Sequence, residues 1–159
     1  GEKRVYAHMK NLVPVDEVNE LTAETYQPDC CTALYDAMGK SLNALRKKVA
    51  EDDKVLVTIV TDGYENASRE YGAKAIKKLV EKLKSKGWVF AYMGANQDVE
   101  AVAATISITN VMQFEATPLG TACMSEKVVK GRSRWFDKIA QGVSSAAEDN
   151  CDFFSDGDN

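Results

Sequence analysis

The residue best placed to do chemistry is Asp62, which ends the apolar run Val55-Leu56-Val57-Thr58-Ile59-Val60-Thr61 and is followed by Gly63. Ligands of open α/β sheets bind beyond the carboxyl ends of the strands, and a carboxylate held there on a glycine-permitted turn can meet a cation. The position equally suits an aspartate that only caps the following turn, and spacing alone favours neither. Thr32 is the second candidate, at the start of a helical pattern that precedes the strand. Its hydroxyl either caps that helix through backbone N–H groups or reaches the same sheet edge as Asp62. Both side chains offer hard oxygen donors of the kind Mg²⁺ and Ca²⁺ take. Two donors fall short of a coordination shell, so the expected metal site is incomplete, with Mg²⁺ or another divalent cation held weakly or not at all.

A catalytic reading pairs Asp62 with Asp36 or Glu65 as a metal-assisted hydrolase. Against it, the chain has no GxGxxG loop, no GxxxxGK loop and no base near Asp62 in sequence. His8 is the single histidine and lies on an expected edge strand. Glu65 and Asn66 are expected to organise their loop and cap the next helix. Cys30, Cys31, Cys123 and Cys151 form no CxxC pair, which speaks against zinc and for four reduced thiols.

These residues need a frame. The β-branched run 55–61 reads as a strand buried on both faces, as in a parallel sheet covered by helices. Trp88 to Met93, closed by Gly94, reads the same way, and Asn110 to Phe114 is a shorter candidate. Leu34, Met38, Leu42, Leu45 and Val49 mark one apolar face of a helix over about 33–49. Ile76, Leu79, Val80 and Leu83 do so for about 69–86, opposite a solvated lysine face. Further helices are expected over 98–106, 121–131 and 133–146, and a strand over Lys3 to Lys10. Alternating β and α elements imply a parallel sheet with right-handed crossovers, an α/β fold of the Rossmann-like, three-layer kind.

At 159 residues, with 45% hydrophobic and 28% charged side chains, the chain suits one domain, expected over 1–147. Residues 148–159 hold five acids and no base and read as a disordered tail. A net charge of -4 argues against nucleic acid as a partner. No apolar run reaches the roughly 18 to 20 residues that span a bilayer, so no membrane role and a cytoplasmic location are expected.

Two stretches then stand out together. Cys31-Thr32-Ala33-Leu34-Tyr35-Asp36-Ala37, followed by Val57-Thr58-Ile59-Val60-Thr61-Asp62-Gly63-Tyr64-Glu65-Asn66-Ala67-Ser68, is similar to von Willebrand factor A-type domains. Bacterial and phage members with a TDGxENAS segment match best, and Gly94-Ala95-Asn96 after a strand resembles them too; the likeness covers about residues 3–135. It implies a doubly wound sheet with a metal-ion-dependent adhesion site on its upper edge. There a DxSxS motif joins a threonine, matched by Thr32, and an aspartate, matched by Asp62. The metal of that family keeps an open position for a partner's carboxylate, so the implied role is protein binding and not catalysis.

DxSxS does not occur in this sequence. The family's first strand, first helix and second strand therefore have no counterpart, and the strand at 55–61 loses neighbours on one side. A fragment, for which Gly1 without a preceding methionine is suited, or a homo-oligomer is expected ahead of a monomer in which the N-terminal strand fills the gap. The functions in contention are an assembly or adhesion module with an incomplete metal site, a scaffold that has lost that site, and the hydrolase.

Overall fold

The computed structural model describes residues 14–20, 22–25, 31–95 and 98–155. The expected strand at Lys3 to Lys10, with His8, lies outside the described residues, as do Cys30 and Asn96. Ahead of the main fold, Val15–Glu17 forms a short 3₁₀ turn.

The fold is mixed α/β, with three parallel strands and helices on both faces. In chain order the elements are α1 (Leu34–Leu45), β1 (Leu56–Thr61), α2 (Ala73–Lys84), β2 (Val89–Gly94), α3 (Val99–Thr105), β3 (Asn110–Gln113), α4 (Pro118–Ala140) and α5 (Ala146–Asp152). The strands lie in the order β1-β2-β3. Leu56 pairs with Val89 and Thr61 with Gly94; Ala91 pairs with Asn110 and Gly94 with Gln113.

Alternation along β2 divides the core. Phe90 and Tyr92, with Ile59 of β1, meet Leu34, Met38 and Leu42 of α1, Ile76, Val80 and Leu83 of α2, and Val99 and Ala103 of α3. Val89 and Ala91 point the other way, to Trp135 of α4 and Phe153 beyond α5. Every residue of β2 is buried, which its unbroken apolar sequence requires. Beyond the end of α2 the chain turns at Gly87, whose φ of +88° is left-handed and lets Trp88 N–H reach back to Leu83 O at 3.1 Å.

Three expectations need correction. β1 is not buried on both faces: Ile59 and Thr61 are buried, Val57 is half-buried, Thr58 is exposed and Val60 is 57% exposed. The second helical layer packs against Leu56 of that strand and leaves Thr58 and Val60 open. The helices expected at 121–131 and 133–146 are one helix, α4, started by Pro118 and by Thr117 Oγ1, which accepts from Gly120 N–H at 3.0 Å. Gly131 does not break it. A Cβ there would come within 2.5 Å of Phe153 O, so glycine lets the segment after α5 pack against α4.

The third correction concerns the tail as far as residue 155; residues 156–159 lie outside the described residues. Residues 146–152 are helical, and Asp149, Asn150 and Phe153 are buried. Charge run and composition hide the reason. Lys138 Nζ neutralises two of the acids, Asp149 at 3.1 Å and Asp152 at 2.7 Å, and Ser144 Oγ donates to Asp149 at 2.6 Å. Asn150 then acts as a piece of strand. Its Oδ1 accepts from Phe90 N–H at 3.0 Å, and its Nδ2 donates to Trp88 O at 2.9 Å and Ala146 O at 2.7 Å. This is the pattern by which a strand residue opposite Val89 would pair, at a point that β3, starting at Asn110, does not reach. Asn110 locks the other side, donating to Phe90 O and Asp149 O and accepting from Phe153 N–H.

Candidate functional site

Beyond the carboxyl end of β1 the chain runs through Asp62 to Gly72 without regular structure. This loop is fixed to the start of α1. The Asn66 side chain accepts from Thr32 N–H at 2.9 Å, and Asn66 N–H donates to Thr32 O at 3.0 Å. Glu65 Oε2 accepts from Tyr35 N–H at 2.8 Å, and Ser68 Oγ accepts from Asp36 N–H at 3.0 Å. Tyr35 and Asp36 lie in the first turn of α1, whose N-cap residue, Ala33, has no side-chain cap. The helix is thus capped from a loop about thirty residues later, by the same groups that satisfy helix N-termini locally.

Thr32 therefore does not cap α1, and Glu65 and Asn66 hold the preceding helix where sequence suggested the next one. Ser68 was not singled out from sequence, although it has a specific partner here. No local rule finds a cap contributed from so far along the chain.

Asp36 returns the contact. Its carboxylate accepts from the N–H groups of Arg69, Glu70 and Tyr71 at 2.9, 2.9 and 2.8 Å. That turn occupies residues expected to be helical, which is why α2 starts only at Ala73. The backbone N–H of Arg69 is the main influence holding Asp36 below its ordinary pKa; burial opposes it, and Tyr71, Glu70 and Lys40 add to it. For Glu65, burial pushes the pKa up, but the N–H groups of Ser68, Tyr35 and Ala67 and the Ser68 hydroxyl outweigh it, and the net direction is down.

A carboxylate whose folded pKa is depressed contributes stability above its unfolded pKa and loses it as pH falls through the folded value. The melting temperature should therefore hold from pH 7 to about 5 and drop below about pH 4, the ordinary carboxylate range. The gap between the parent and Asp36→Asn should be widest at pH 7 and close towards pH 3. A gap independent of pH in thermal melts would show that Asp36 does not act through its charge.

Thr32 lies beside the turn that carries Asp62: a Cβ placed on Gly63 would lie 3.4 Å from Thr32 Oγ1. Thr61 Oγ1 ties that turn down by donating to Gly63 O at 3.0 Å. Tyr64 extends the rim towards β2, its hydroxyl accepting from Asp98 N–H at 3.3 Å, while Asp98 caps α3 through Ala101 N–H at 3.1 Å. Asp62 is exposed. Among the described residues no three His, Cys, Asp or Glu side chains gather to hold a metal ion. Thr32 and Asp62 suit a hard cation in kind but not in number, since Mg²⁺ takes an octahedron of oxygens.

Also among the described residues, no helix is long and apolar enough to cross a membrane. Comparison with family models, curated proteins and solved structures found no match to this chain.

Proposed function

We propose that this chain is a non-catalytic binding module of the von Willebrand factor A type, serving in assembly, with the outer edge of β1 and the neighbouring Thr32–Asp62 rim as its contact surface. The carrying observation is the state of β1. It is an edge strand among the described residues, six residues long, with no charge, proline or glycine from Val55 to Thr61. Edge strands that stay unpaired are usually short, charged, bulged or covered. β3, with four residues, follows that practice and β1 does not.

The acids support the same reading. Asp36 and Glu65 are committed to backbone N–H groups, so neither is offered to Asp62 as a catalytic partner. The parallel sheet and the approach of Thr32 to Gly63 agree with the family's arrangement. This chain alone is expected to bind Mg²⁺ weakly. At a concentration equal to the dissociation constant a ligand adds about 0.4 kcal/mol, on the order of 1–2 °C for a chain of this size.

Millimolar Mg²⁺ should therefore move the melting temperature by no more than about that much, with Asp62→Ala removing what shift there is. Chromogenic phosphate and carboxylate esters, with and without Mg²⁺, should turn over no faster with the protein than with Asp62→Ala. Turnover that Asp62→Ala abolishes would replace the binding reading with the hydrolase.

A further inference from the structure

We infer that the occupant of the β1 edge is a second copy of this chain, paired antiparallel across a two-fold axis that passes between the two copies' Thr58 residues, perpendicular to the sheet. This rests on the assembly reading above and names its partner.

The direction of the backbone groups restricts the pairing. Val55 O accepts from Val89 N–H at 2.9 Å, and Thr61 O accepts from Ala95 N–H at 3.0 Å. The N–H and C=O groups of Val55, Val57, Ile59 and Thr61 therefore point towards β2, and by alternation those of Leu56, Thr58 and Val60 point away from it. An antiparallel partner must set outward-pointing residues opposite one another. In a self-pairing this permits only registers in which residues of like parity meet, and these registers also keep the two copies' sheet faces on the same side.

Among those registers, the one centred on Thr58 uses the strand best. It places Thr58 opposite Thr58, Leu56 opposite Val60 and Val57 opposite Ile59. It also places Lys54 of one copy opposite Asp62 of the other, twice by symmetry. Both residues are exposed, and they are the charges that immediately bracket the neutral strand. Slipping the register one way sets Asp62 against Leu56; slipping it the other way sets Lys54 against Val60. The favoured register gives a threonine pair, two aliphatic pairs and an opposite-charge pair at directly facing positions, all stabilising cross-strand combinations. Val60, 57% exposed, gains an apolar neighbour. Two-fold pairing through an identical patch is the commonest closed assembly.

The test is a charge exchange on the full chain, read by light scattering and sedimentation across micromolar concentrations. The parent should be a dimer. Lys54→Glu sets a glutamate against Asp62, and Asp62→Lys sets a lysine against Lys54; each should weaken dimerisation on the order of a hundred-fold. The double variant Lys54→Glu/Asp62→Lys should restore it. Thr58→Lys, which places two lysines at the axis, should give a monomer with an unchanged far-ultraviolet spectrum, so the result does not hang on one substitution. A monomeric parent, a dimer indifferent to Lys54→Glu, or a double variant that stays monomeric would each overturn the proposal. A monomeric parent without ester turnover would leave the binding-module reading standing, whereas a dimer with Asp62-dependent turnover would remove that reading and keep the dimer.

Discussion

Asn150→Ala should lose about 2–5 kcal/mol of folding stability, because it strips two buried backbone groups, Phe90 N–H and Trp88 O, of their partners at once. Phe90 N–H, Trp88 O and Ala146 O all bond to this one amide. Each buried group left unpaired costs about 1–3 kcal/mol, and such costs do not simply add. The site is closed to rescuing water: Asn150 is 4% exposed, and Trp88 and Phe90 are buried beside it. Asn150→Asp separates hydrogen bonding from size. It keeps an acceptor for Phe90 N–H but turns oxygen towards the carbonyls of Trp88 and Ala146, so at neutral pH it should be at least as damaging as alanine. Urea unfolding followed by circular dichroism measures both, and a loss below about 1 kcal/mol for either would mean that the segment after α4 is not integral to the fold.

Ile59→Ala should cost about 2–5 kcal/mol, the range for cutting a buried aliphatic side chain back to its Cβ. Ile59 is 7% exposed and belongs to the cluster that joins β1 to α1, α2 and α3. Its neighbours on the strand provide an internal control. Val60 is more than half exposed and on the opposite face, so Val60→Ala should change the stability of the unassembled chain by less than about 0.5 kcal/mol. Equal effects at the two positions would contradict the one-sided burial of β1.

That one-sidedness marks where sequence reading succeeds and where it stops. The run 55–61 is apolar throughout, and composition alone cannot distinguish a strand covered on both faces from one whose second cover is missing. The periodicity of Ile76, Leu79, Val80 and Leu83 located α2, because a repeating helical face is a local property. Periodicity does not locate its start, because residues 69–71 are held by Asp36 from across the fold. The acidic end hides its helix for a related reason. Lys138, which pairs with two of its acids, is 11 and 14 residues away in sequence, and Asn150 finds its partners about sixty residues back. At the candidate site Asp62 was legible from the strand–Asp–Gly pattern and Thr32 from its place before a helix. The trans-capping by Glu65, Asn66 and Ser68 was not legible, since each contact joins segments more than thirty residues apart or nearly so.

The claim that β1 is a binding edge can be read at single amides. Hydrogen exchange followed by nuclear magnetic resonance separates the inward N–H groups of Val57, Ile59 and Thr61 from the outward ones of Leu56, Thr58 and Val60. The inward set should be protected at every concentration by pairing with β2. Protection of Thr58 and Val60 should match it in concentrated samples, fall as the protein is diluted through the dimer dissociation constant, and be lost in Lys54→Glu. Fast exchange of Thr58 and Val60 at all concentrations, or protection indifferent to both dilution and Lys54→Glu, would contradict the account.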